Sequence, residues 1–412
     1  MTNDTNLEEI AEKVFAICNK EQITDAEVFL AKKSYASLFE EPFQTSSRVE
    51  GRAGSTIGLA IRMRVKDNLH GFTYSSDIDK EALKEIIHGA RKTALPVEGF
   101  TGFIEPASPT PVENIYDSKV NEFIDEPAKL SQILERAQIQ VGNYKNLELR
   151  HVSASAVKIK TLIVNSNGQK VQTEGSFFPL SIQTALSTNI QQTSTYRHKV
   201  TRMIEDIQAE KLVEEAVNES LIMNNKATLE AKAYPAIITA RAASDLYGYQ
   251  FEPMISLGGL LSGVSKFADK MGALVASEQL TLYDDPMLSG GQYSSPFDDE
   301  GTPTKKTIII ENGILKGALS THILANRNNS ITTGNCCRSA NRRINNYYTR
   351  EFSFLPVTSP TNLCIKPGDA SNEELLQELN NGIIINLFSG GISITDPSGE
   401  FNLIGIHLFK VE

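Results

Sequence analysis

The stretch Ser295–Leu319, SPFDDEGTPTKKTIIIENGILKGAL, spells out a β-hairpin. An acidic turn, Asp298-Asp299-Glu300-Gly301, passes through a Thr/Pro/Lys connector into the apolar run Ile308-Ile309-Ile310. Asn312-Gly313 then reverses the chain into Ile314-Leu315. Both central residues of a type I′ turn need φ > 0, which Gly and Asn tolerate best, so this dipeptide between apolar runs predicts a tight hairpin. The carboxylates before it are dense enough to hold a hard cation through oxygen ligands. They do not follow the D-x-D-x-D-G spacing of a calcium loop, and the reading favoured here makes them turn residues that cap neighbouring backbone N–H groups.

Working outward, the segment from Tyr234 is rich in small residues (ARAASDLYGY, then MISLGGLLSGVSKF), which permit close backbone approach. PAIIT at its start reads as a buried strand. Beyond the hairpin, a short helix is expected around His322 to Asn326, followed by a polar loop over Thr332 to Arg350. A helix carrying Leu375, Leu376 and Leu379 and the strands GIIINLF and FNLIGIHLFKVE follow. The chain stops inside that last alternating apolar run, an unusual place for a strand-rich domain to end.

Toward the N-terminus, Leu7, Ile10, Ala11, Val14, Ile17 and Cys18 recur at helical spacing behind a Thr5/Glu8 capping-box pattern. Short β-rich runs punctuated by Gly51, Gly54 and Gly71 come next, then a helix over Asp79 to Ala94. A second unit repeats the theme loosely. It has a helix around Pro127 to Val141, strands from Leu147 to Thr201 with a turn at Asn167-Gly168, and a helix near Asp206 to Met223. The expected class is α+β, with two helix-and-meander units followed by a strand-rich C-terminal domain. The boundaries are placed at 1–110, 111–230 and 231–412.

With 412 residues, two or three domains are expected at roughly 100 to 200 residues each. A net charge of -10 argues against a broad nucleic-acid-binding face, which would show clustered Lys and Arg. The cysteines Cys18, Cys336, Cys337 and Cys364 lack the spacing of a disulfide framework, and the acidic N-terminus has no apolar signal core. A cytoplasmic location without a membrane span is the expectation.

The residues alone do not announce a chemistry. The histidines at 70, 88, 151, 198, 322 and 407 match no HExxH or zinc-finger spacing, and no P-loop, G-x-G-x-x-G or G-x-S-x-G is present. The one basic and aromatic cluster comprises Cys336-Cys337, Arg338, Arg342, Arg343 and Tyr347. Guanidinium forks suit carboxylate or phosphate groups, and nearby cations lower a thiol pKa, so this loop is a candidate substrate-binding element.

From Gly272 onward, GALVASEQLTLYDDP, SPFDDEGTPTKKTIIIENGILKG, TGNCCR, TNLCIKPGDASNEELLQEL and GIIINLFSGGISITDPSGEF resemble, in order, the third domain of the TldD/PmbA family. That family is described as modulators of DNA gyrase and implicated in proteolysis. The resemblance implies a fold that houses a peptidase site. In TldD-type members a helix after the domain's first strand carries HExxxH, whose histidines bind zinc and whose glutamate serves as general base. Laid on that motif, PAIITARAASDLYG puts Thr239 and Ser244 at the histidine positions and Ala240 at the glutamate position. A further cysteine ligand comes, in those members, from a segment beyond the last strand seen here, and Cys336, Cys337 and Cys364 lie too early in the pattern to replace it.

The resemblance is thus to the TldE (PmbA) type. It implies a non-catalytic subunit that holds no catalytic residue, metal or cofactor of its own. A TldD-like partner would supply the zinc, and the substrates would be unfolded or modified peptides. The alternative is a homodimeric pseudoenzyme that binds peptides or regulates. A third possibility, a relocated site built on Cys336, Cys337 or the arginine loop, would make the chain an enzyme by itself. Direct action on DNA gyrase has no footprint in the acidic composition.

Overall fold

The computed structural model describes residues 6–43, 46–66, 69–187, 192–224, 228–247, 252–338, 351–388 and 404–411. The architecture is α+β. In chain order its first part comprises helix α1 (Leu7–Lys20), strands β1 (Ala26–Phe43), β2 (Ser46–Lys66) and β3 (Leu69–Ser75), helix α2 (Lys80–Lys92) and the short strand β4 (Leu95–Pro96). Helices α3 (Val120–Asp125) and α4 (Ser131–Gly142), strands β5 (Leu147–Asn165), β6 (Lys170–Ser187) and β7 (Gln192–Thr201), and helix α5 (Ala209–Met223) follow.

The strands of the two expected N-terminal units join in one seven-stranded sheet, ordered β4-β3-β2-β1-β5-β6-β7. The seam is the antiparallel pairing of β1 with β5, from Glu27↔Asn165 to Glu40↔Val152. Sequence punctuation had suggested short runs, but β2 is 21 residues long and carries Gly51 and Gly54 in its interior. A Cβ on Gly54 would lie 3.2 Å from the Tyr35 hydroxyl, so this glycine makes room for a cross-strand ring instead of ending the strand.

Helices cover one face of the sheet. Leu7, Ile10 and Val14 of α1 and Leu83 and Ile87 of α2 pack with Val28, Leu30 and Ile61. Ile133 and Leu134 of α4 and Leu212, Val213 and Val217 of α5 pack with Val152, Ala154 and Ile182. Asn6 caps α1, its side chain accepting from Glu8 N at 3.0 Å; Thr5, expected in that role, lies outside the described residues. On the other face, Phe29, Ala60, Ile163 and Val171 close over Phe297, which is delivered by the C-terminal domain. Two buried faces explain why Ala26 to Ala31 is buried at every position.

The C-terminal domain contains β8 (Ala236–Ile238), α6 (Ala240–Leu246), α7 (Glu252–Ile255), α8 (Leu257–Leu261), β9 (Leu282–Asp284), β10 (Thr307–Glu311), β11 (Ile314–Leu315) and α9 (His322–Arg327). Then come β12 (Cys336–Cys337), β13 (Val357–Thr358), β14 (Leu363–Ile365), α10 (Asn372–Glu378), β15 (Ile383–Phe388) and β16 (Gly405–Lys410). They form three small sheets, β11-β10-β9-β14, β12-β13 and β16-β15-β8.

The hairpin stands where the sequence puts it. Ile310 pairs with Leu315 and Glu311 with Ile314, and Asn312 and Gly313 have φ of 47° and 77°. At the other expected turn the geometry differs. Only Gly168 has positive φ, and the reversal is held by Asn165, whose Oδ1 accepts from Asn167 N and Gln169 N. Strand β8 is not buried as expected. It is an edge strand running parallel to β15, and Ile238 is 41% exposed. Among the described residues no helix is long and apolar enough to cross a membrane.

Candidate functional site

The helix that would carry a metal motif is α6. Its N-cap, Thr239, uses Oγ1 to accept from Ala242 N at 3.4 Å and to donate to Asn386 Oδ1 at 3.2 Å. Ala240 offers no donor atom, and Ser244 donates its hydroxyl back to Arg241 O at 2.7 Å. Between them Arg241 reaches Glu219 of α5, with Nη1 3.2 Å from the carboxylate. Glu219 is the centre of a closed hub. It also receives Arg197 Nη2 at 3.0 Å, Asn386 Nδ2 at 2.8 Å and His407 Nδ1.

The hub ties α5 and β7 to α6, β15 and β16. Burial alone would raise the Glu219 carboxyl, but the His407 hydrogen bond and the Arg197 and Arg241 charges outweigh it and hold the group below the ordinary glutamate value. Zinc does not fit the α6 positions. They present two hydroxyls engaged with the protein and a methyl group, and the Arg241 guanidinium beside them opposes a second cation.

The acidic turn is a second buried cluster. Its backbone is closed by Gly301, at φ 79°, whose N–H donates to Asp298 O at 3.1 Å. Asp298 Oδ1 accepts from Glu300 N and Thr302 N, each at 2.9 Å, and Oδ2 accepts from Cys336 N at 3.1 Å. Glu300 Oε1 accepts from Arg62 Nη1 at 3.0 Å, and Oε2 from His322 N at 2.8 Å. Arg62 in turn forks onto Glu27, with Nε and Nη2 at 2.9 and 2.6 Å from the two carboxylate oxygens. The capping role read from the sequence accounts for Asp298. Glu300 also accepts a backbone N–H, that of His322, while its other carboxylate oxygen reaches across to Arg62 of the N-terminal sheet.

Asp298, Glu300 and Cys336 hold ligand atoms within 4.8 Å of one another, and among the described residues this is the one group of three or more such side chains; no three histidines converge. The set closes on protein groups. Burial, reinforced by the Glu300 and Asp298 charges, pushes the Cys336 thiol well above its usual range and so keeps it protonated. Burial and the Glu300 charge likewise push Asp298 up. For Glu300, burial acts upward too, but the Arg62 charge outweighs it and holds the carboxyl low.

Arg338, placed by the sequence on a substrate-facing loop, has no exposed side-chain surface. Its Nη2 donates to Glu27 Oε1 at 2.8 Å, its backbone N–H to Asp299 Oδ2 at 2.6 Å, and its guanidinium lies 4.7 Å from the Phe29 ring centroid. Arg342, Arg343 and Tyr347 lie outside the described residues. Sequence reading missed Glu27, Arg62, Glu219, Asn386 and His407. The available signal was a charge inside an apolar run, as in AEVFLA and GLAIRMRV.

Residues 231–412 match the family model described as the PmbA/TldA metallopeptidase C-terminal domain. A metalloprotease of Methanocaldococcus jannaschii is 26% identical over 86% of this chain and 76% of its own length. A metalloprotease PmbA homolog of Haemophilus influenzae is 24% identical over 75% of this chain and 68% of its own. Among solved structures, TldE from Thermococcus kodakarensis superposes with a TM-score of 0.83 at 22% identity, covering 98% of this chain and 88% of that one.

Proposed function

We propose, from the premise that this chain belongs to the TldD/PmbA family, that it is the non-catalytic, TldE-type subunit of a two-chain zinc peptidase acting on unfolded or modified peptides. The observation that carries this reading is the state of α6. Thr239 and Ser244 spend their hydroxyls on Asn386 and on Arg241 O, while Arg241 is anchored to Glu219. A helix face so occupied neither binds zinc nor polarises a water, so the metal and base belong to a TldD-like partner. This chain's part is to help enclose the peptide and hold it in extended form, by main-chain pairing that tolerates many sequences. Its acidic balance and four free cysteines suit the cytoplasm.

The test is co-expression with a TldD-like chain from the same genome, followed by size-exclusion chromatography, metal analysis and digestion of an unfolded peptide. One zinc per heterodimer, with activity lost when the partner's HExxxH is mutated, supports the assignment. Stoichiometric zinc and peptidase activity in this chain alone would overturn it. A stable homodimer that ignores the partner and binds peptides without cleaving them selects the pseudoenzyme alternative.

A further inference from the structure

We draw no further inference here: the strongest candidate, the cavity in the C-terminal domain between Pro253 and Gly259, Thr321 and Leu324, and Pro356 and Thr358, carries nothing because nothing in the structure shows what occupies or covers it.

Discussion

Glu27 in β1 and Arg338 beside β12 are 311 positions apart in the chain, yet their side chains meet at 2.8 Å with 1% and 0% of their surface exposed. Glu27 also holds Arg62, which reaches Glu300. Two buried guanidinium groups and two buried carboxylates thus fasten the N-terminal sheet to the acidic turn of the C-terminal domain. Removing one partner leaves the others buried and uncompensated, a loss of about 3–5 kcal/mol. Glu27→Ala and Arg338→Ala should each lower the unfolding free energy by that amount in urea titrations at pH 7. A loss below about 1 kcal/mol in both would show that the network is not a fastening.

The Glu219 hub predicts a particular acid sensitivity. Its folded carboxyl titrates below the ordinary 4.5, because His407, Arg197 and Arg241 together outweigh burial. A depressed acid contributes stability that is present above the unfolded value and lost as pH falls through the folded one. Tm of the native chain should therefore drop on acidification below about pH 4.5, and Glu219→Gln, already less stable at pH 7, should show a flatter dependence there. Parallel Tm–pH curves for the two proteins would assign the acid loss to other carboxylates.

How much of this was legible in advance follows from the range of each interaction. The Asn312-Gly313 reversal and the helical periodicities of α1, α2, α4 and α5 are local, and they appear where the residues place them. The β1–β5 seam joins segments more than a hundred residues apart, and alternation records which face a strand buries but not which strand lies beside it. Thr239 and Ser244 could be recognised as poor zinc ligands from their atoms alone. That Arg241, Glu219, Asn386 and His407 lock the same helix required the fold, because they come from α6, α5, β15 and β16. Arg338 misled because arginine in a polar stretch usually faces water; here Glu27 and the Phe29 ring draw it inside.

Close packing of α2 on β3 predicts a sharp contrast between two glycines. A Cβ on Gly71 would fall 1.8 Å from the Ala90 carbonyl oxygen, a backbone atom that cannot step aside without moving the helix. Gly142, the last residue of α4, has nothing within 4 Å of the same position. Gly71→Ala should cost about 3 kcal/mol or more, whereas Gly142→Ala should be neutral or stabilise by up to about 1 kcal/mol. Similar urea midpoints for the two variants would refute the tight contact.

A relocated thiol site can be tested without knowing any substrate. Cys18, Cys336 and Cys337 are buried, Cys364 is partly exposed, and none is disulfide-bonded. Burial pushes the Cys18 thiol up to about 11, and burial with nearby carboxylate charge drives Cys336 further from reactivity. Cys364 is also raised, first by burial and then by Asp285 and Asp284. Thiolate attack depends on the deprotonated fraction and on access, so the native chain should react slowly with a disulfide reagent at pH 8, and at Cys364 first. Denaturation should release all four thiols. Rapid labelling of Cys336 or Cys337 in the folded chain would reopen the case for cysteine chemistry there. Slow labelling, with Cys336→Ala and Cys337→Ala leaving peptide binding intact, would confine those residues to packing.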